Sequence, residues 1–226
     1  MTAFEPHIEI LPNSQRALWP LLKPAAALGF VLYGGTAIAL RLGHRQSIDF
    51  DFFSETSLDL NALYSQMPFL QGALVVQQSP DTLTVLVQGN EGAGAPVKVS
   101  FFGPIRTGRV GVPQFTADGV LLIASPDDLF ATKVKVLLQR VEAKDYRDIA
   151  AMLSVGQNLE RALGGARCMY GYTFQPSESL KAMTYFEGGD LQSVSQQERA
   201  VLIEAVKSVR NILDVEILDH RLSIDA

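Results

Sequence analysis

The sequence predicts an α/β fold: a small mixed β-sheet with flanking helices over residues 1–124, followed by a helical region over 125–226. Two observations carry this. Short apolar runs such as "FVLYGG", "IDFDFF", "TLTVLV" and "VKVSFF" are bounded by turn residues and interleaved with helical patterns. After Ser125 the strand-like runs stop and only helical periodicity remains.

In chain order, "QRALWPLLKPAAAL" reads as a first helix capped by Asn13 or Ser14, with Pro20 and Pro24 as irregularities. "FVLYGG" is a buried strand ending in a glycine turn, and "TAIALRLGH" is a helix. "SIDFDFFS" is a strand; "SLDLNALYSQM" is a helix with Ser57 or Asp59 at its cap. "ALVVQQS", "TLTVLVQG" and "VKVSFFG" have strand composition and lie between turn signals. "GNEGAGAP" has neither the lysine nor the hydroxyl of a phosphate-binding P-loop and reads as a hairpin loop. "GVLLIAS" is a further strand. "SPDDLFATKVKVLLQRV" opens a helix with Ser125 as cap and Pro126 at its first position. "DYRDIAAMLSV", "NLERALGGARCMYGY", "ESLKAMTYF" and "SQQERAVLIEAVKSVRNIL" are the remaining helices.

Composition bounds the function classes. The chain is 47% apolar and 19% charged, as expected of a folded protein. A net charge of −5 gives no general attraction to nucleic acid, so a polyanion needs a local basic patch. The single Cys168 excludes an internal disulfide framework. "MTAFEPHIEILP" has acids and no long apolar segment, and no stretch reaches the roughly 18 apolar residues of a membrane span. The expectation is a cytoplasmic protein without signal peptide or membrane association.

The chemistry concentrates in "GGTAIALRLGHRQSIDFDFFS", residues 34–54. Strand alternation sends Asp49 and Asp51 to one face and Ile48, Phe50 and Phe52 to the other. Two adjacent carboxylates repel, a conflict resolved by a divalent cation or by solvation at a sheet edge. Gly34-Gly35-Thr36, after a buried strand and before a helix, is either a tight turn or a phosphate cradle of backbone N–H groups. Lys133 falls within the apolar stripe of Leu129, Phe130, Val134, Leu137, Leu138 and Val141, so it either snorkels to solvent or meets an anion. In "KDYRDI", Asp145 has the position of an N-cap and Asp148 that of an acidic third residue; alternatively one of them is a base or a lysine partner.

Together "GGTAIALRLGHRQSIDFDFFS", "DLFATKVKVLLQR" and "KDYRDIAAML" resemble the AbiEii/AbiGii toxin family, within the polymerase-β-type nucleotidyltransferase superfamily. The resemblance implies a sheet of nucleotidyltransferase type and transfer of a nucleotidyl group from an NTP to an acceptor hydroxyl. It further implies a toxin–antitoxin pair with a cognate antitoxin protein, and RNA or tRNA as acceptor. By position, Gly34, Gly35 and Thr36 match the turn that holds nucleotide phosphates, and Arg45 and Ser47 the polar residues leading into the acidic strand. Asp49 and Asp51 match the metal-binding carboxylates for Mg²⁺ or Mn²⁺. Lys133 matches a phosphate-contacting lysine, and Asp145 and Asp148 the last acidic motif. Asp145, as cap, is expected to be structural; Asp148 is expected to face the metal site as lysine partner or base. Arg106, Arg109, Lys144 and Arg147 are the expected basic rim.

Ser100 stands in "VKVSFF" where the superfamily leads one to expect a third carboxylate. It motivates an alternative: a nucleotide- or partner-binding module with weakened chemistry. A structural protein whose motifs are relics is the third reading.

Overall fold

The computed structural model describes residues 3–88 and 94–224. They form two compact units. One comprises the described residues up to 108, with 112–125 and those from 219 onward; the other comprises 109–111 and 126–218.

Among the described residues the first unit holds a seven-stranded mixed sheet. Its strands are β1 (Val31–Tyr33), β2 (Asp49–Phe53), β3 (Leu74–Ser79), β4 (Thr82–Val87), β5 (Val97–Phe102), β6 (Gln114–Phe115) and β7 (Leu122–Ile123). Their order is β3-β4-β5-β2-β1-β7-β6, with β2/β5 and β1/β7 parallel and the other neighbours antiparallel. The two-residue β6 carries no run long enough to show alternation. Most of the predicted loop "GNEGAGAP", residues 89–93, lies outside the described residues.

The predicted first helix is divided into α1 (Asn13–Leu18), a 3₁₀ turn (Trp19–Leu22) and α2 (Pro24–Ala27). Pro20 is the second residue of the 3₁₀ turn and Pro24 the first of α2, at segment starts where the amide a proline lacks is not needed. Pro12, rather than Asn13 or Ser14, occupies the cap position. Helix α3 (Gly34–Leu42) begins at the first glycine of the turn, and Gly43, at φ +64°, terminates it. The Arg41 guanidinium on α3 donates to the carbonyls of Ile123 (3.3 Å) and Ala124 (2.8 and 3.1 Å), tying the helix to the end of β7. Helix α4 (Leu60–Gln66) is capped by Asp59, whose carboxylate accepts from the Ala62 amide.

One face of the sheet is an aromatic core. Phe52 stacks on Phe101 with centroids 5.2 Å apart, and Phe30 meets Phe101 edge-on at 5.1 Å. Phe50, Phe52 and Phe101 are fully buried. Ile48 departs from the predicted alternation: it precedes the strand, and its side chain is exposed.

The second unit is helical: α5 (Pro126–Val136), α6 (Ala143–Ser154), α7 (Leu159–Tyr170), α8 (Pro176–Met183) and α9 (Gln196–Ser208). Helix α5 ends earlier than its stripe predicts, which leaves Leu138 and Val141 exposed. Helix α6 starts two residues before Asp145. Asn158 caps α7, and Ser195 with Glu198 forms a capping box on α9. Helix α9 stops at Ser208, short of the predicted Leu213.

Phe101 joins the aromatic contacts of β1's approach and of β2, so its loss leaves a large cavity in the sheet core. Phe101→Ala is expected to destabilise the protein by about 3–5 kcal/mol in chemical denaturation.

Candidate active site

In the first unit the sequence brings a glycine turn and two carboxylates together through strand register. Tyr33 is the last residue of β1 and pairs with Asp51 across the antiparallel ladder. The chain then turns straight into α3 through Gly34, whose φ is +74°. A Cβ at Gly34 would lie 2.9 Å from Asp51 Oδ2. Both the positive φ and this approach require glycine. The Asp51 carboxylate therefore lies against the turn that opens the helix. The first N–H groups of α3 have no intrahelical acceptor and can receive phosphate oxygens.

Asp49 and Asp51 share the face opposite Phe50 and Phe52, as alternation predicts. On the other side of β2, Asp49 pairs with Lys98 and Asp51 with Ser100 in the parallel ladder. Lys98 Nζ lies 3.8 Å from Asp49 Oδ2, a solvent-facing pair with side chains 45% and 32% exposed, and so weakly coupled. Ser100 is buried, and among the described residues its Oγ has no hydrogen-bond partner. The predicted counterpart strand is thus the register neighbour of the acidic strand, with a neutral hydroxyl beside Asp51.

Thr36 Oγ1 donates to the Asp49 carbonyl, which leaves it to accept from Ser47 Oγ at 2.7 Å. Both residues are buried. Arg45 Nη1 donates to the Gln46 carbonyl at 2.8 Å. Hard carboxylate oxygens on one face, opening onto a glycine, suit a small divalent cation such as Mg²⁺. Among the described residues no His, Cys, Asp or Glu completes a group of three around them.

In the second unit Lys133 is buried and does not snorkel. Its Nζ lies 2.8 Å from Asp145 Oδ1 and 2.8 Å from Asp148 Oδ2. Arg140, which the sequence reading did not single out, donates through Nε to Asp145 Oδ2 at 2.8 Å and through Nη2 to Oδ1 at 3.0 Å. The signal was a basic residue at the end of the α5 segment, five positions before Asp145.

The expectation for the two acids needs correction. Asp145 does not cap α6: Glu142 holds that position, and the Ala143 amide donates to Asp190 Oδ1 at 2.6 Å instead. With the helix starting earlier, Asp145 and Asp148 are one turn apart on the same buried face, and both pair with Lys133. Asp148 is accordingly buried and is a lysine partner. Burial pushes the Asp145 carboxyl up, but hydrogen bonds from Arg140 and Lys133 and their charges outweigh it and hold it below the ordinary aspartate value.

The contacts therefore gather Gly34, Thr36, Ser47, Asp49 and Asp51 in the first unit, and Lys133, Asp145 and Asp148 in the second. The expected basic rim is largely committed elsewhere. Arg109 is buried. Lys144 pairs with Glu142 at 2.7 Å, and Arg147 donates to the Ser193 carbonyl at 2.7 Å. Arg106 is exposed. Among the described residues no helix is long and apolar enough to cross a membrane.

Residues 16–206 match the family model described as nucleotidyl transferase AbiEii toxin, type IV toxin–antitoxin system. An uncharacterized protein of Aquifex aeolicus (strain VF5) is 35% identical over 122 residues, 53% of this chain and 55% of that protein. The chain thus spans about half the length of that curated relative. The nucleotidyltransferase toxin MenT4 of Mycobacterium tuberculosis H37Rv has a similar fold, with a TM-score of 0.59 at 14% identity. That match covers 86% of this chain and 82% of MenT4.

The Asp145 ion pairs have a signature in pH. A carboxyl held below its unfolded value stabilises the fold above that value, and the contribution is lost as pH falls below about 4. Asp145→Asn is expected to cost about 3 kcal/mol at pH 7, because a buried lysine loses one of its two counter-charges. The gap between variant and wild type should narrow as urea denaturation is repeated from pH 5 down to pH 3.

Proposed function

This chain belongs to the nucleotidyl transferase AbiEii toxin family, and we propose that it transfers a nucleotidyl group from an NTP to an acceptor hydroxyl. The observation that carries the proposal is the approach of Asp51 to Gly34, which joins a carboxylate pair to the opening turn of a helix within one structural unit. That is the pairing an NTP requires: backbone donors for phosphate oxygens beside hard ligands for its counter-cation.

In this reading Asp49 and Asp51 hold Mg²⁺ or Mn²⁺. When bound, the cation supplies charge neutralisation for the triphosphate and a lowered pKa for the acceptor hydroxyl. The amides of Gly35 and Thr36 take phosphate oxygens and stabilise charge that develops there. Ser47, through Thr36, keeps the Asp49 carbonyl in place, and Arg45 supports the same approach to the strand. Lys133 and Asp148 retain the phosphate-binding and base roles that the family resemblance implies, and Asp145 with Arg140 orders the lysine.

The acceptor class we propose is RNA, tRNA included, and the partner a cognate antitoxin protein, as the toxin–antitoxin family implies. The cytoplasm, where NTPs and tRNA meet, is the compartment this activity needs. Ser100 favours a second reading, a module that binds NTP without turnover, because the group beside Asp51 is a hydroxyl that cannot act as a carboxylate base.

Incubation with each labelled NTP, Mg²⁺ and total RNA is expected to give labelled RNA, and Asp49→Asn to reduce the rate by a hundredfold or more, on the order of losing a key charge-stabilising group. Tight Mg²⁺-dependent NTP binding with no labelled product would favour the second reading.

A further inference from the structure

The acidic strand reaches beyond its neighbour. The β1–β2 ladder covers Asp51 to Phe53 only, because β1 ends at Tyr33 and becomes a helix. Asp49 and the residue before it therefore have no strand partner on that side. Side chains replace the missing ladder. Thr36 of α3 takes the Asp49 carbonyl, and the Gln15 side chain of α1 takes the next one back, with Nε2 donating to the Ile48 carbonyl at 2.8 Å. The Ile48 side chain is 58% exposed, so packing does not hold this residue. Its backbone hydrogen bond does.

Gln15 makes this bond at a cost. It is only 4% exposed, and its Oε1 is buried without a hydrogen-bond partner among the described residues. A half-satisfied buried amide is worse for stability than an apolar side chain of the same shape. Methionine would remove this orphaned oxygen but also the donor to the Ile48 carbonyl, two effects of similar size and opposite sign.

We propose that Gln15 is a positioning residue for the divalent-cation site: it fixes the Ile48 peptide and so sets the direction in which the Asp49 carboxylate leaves the strand. The proposal rests on the reading that Asp49 and Asp51 bind the cation. Gln15 touches neither cation nor substrate; it acts through one peptide bond. Outer groups that orient metal ligands typically contribute about 10–100-fold in metal affinity, and one acting through the backbone belongs at the lower end.

The test is Mn²⁺ binding to the full chain, read from the paramagnetic resonance of free Mn²⁺, together with the thermal midpoint. Gln15→Met is expected to weaken Mn²⁺ binding about tenfold while leaving Tm close to the wild-type value, because the lost bond to Ile48 and the removed orphan oxygen offset each other. Gln15→Asn, which keeps the amide but is one methylene too short to reach Ile48, should weaken binding in the same way. Unchanged affinity in both variants, or a Tm lowered by both, overturns the proposal, the latter because it makes Gln15 a structural residue. Asp49→Ala separates the two levels. If it binds Mn²⁺ as tightly as wild type, the cation reading itself fails. If it loses Mn²⁺ while both Gln15 variants retain it, only the role of Gln15 falls.

Discussion

Everything at the acidic strand follows from the period-two alternation of β2. Phe50 and Phe52 are fully buried, and Phe52 packs against Phe101. That burial locks the register, since a one-residue slip would bury the carboxylates and expose the phenylalanines. Asp49 and Asp51 are thereby forced onto the opposite face, side by side. The ladder then places Asp51 beside Tyr33, and the next residue along β1 must turn away without a side chain. Gly34 meets that requirement. The turn that accommodates Asp51 is also the one that exposes the first amides of α3.

The protein handles two close pairs of aspartates in different ways. Asp145 and Asp148 are removed from water, and Lys133 and Arg140 meet them at 2.8 Å. Such a network holds its members in fixed positions, because breaking it would strand a buried charge. Asp49 stays partly in solvent, with Lys98 at 3.8 Å. An exposed pair of that kind costs little to separate, so a stronger cation can displace the lysine. The difference in burial distinguishes a carboxylate pair whose counter-charges the fold supplies from one left open to a cation.

Much of this was legible in the sequence, where residue type and period agreed. The glycine turn, the D-x-D strand and the counterpart strand carrying Ser100 all occupy the places that alternation and turn chemistry predict. Lys133 was legible as an anomaly, a lysine within an apolar stripe, but its partners were not. Asp145 and Asp148 match an N-cap pattern well, and only the earlier start of α6, with Asp190 from a distant part of the chain accepting from its first amide, moves both acids onto one buried face. Gln15 gave no signal at all. Its partner is a backbone carbonyl 33 residues away, and a backbone carbonyl carries no sequence identity.

In the proposed function the glycine turn and the Asp49–Asp51 pair act as one cation-dependent nucleotide site. Calorimetric titration of the protein with each NTP, in Mg²⁺ and then in excess chelator, tests it most directly. Saturable binding of at least one NTP is expected in Mg²⁺, and its loss in chelator. Binding of equal strength in both, or none in either, would contradict it.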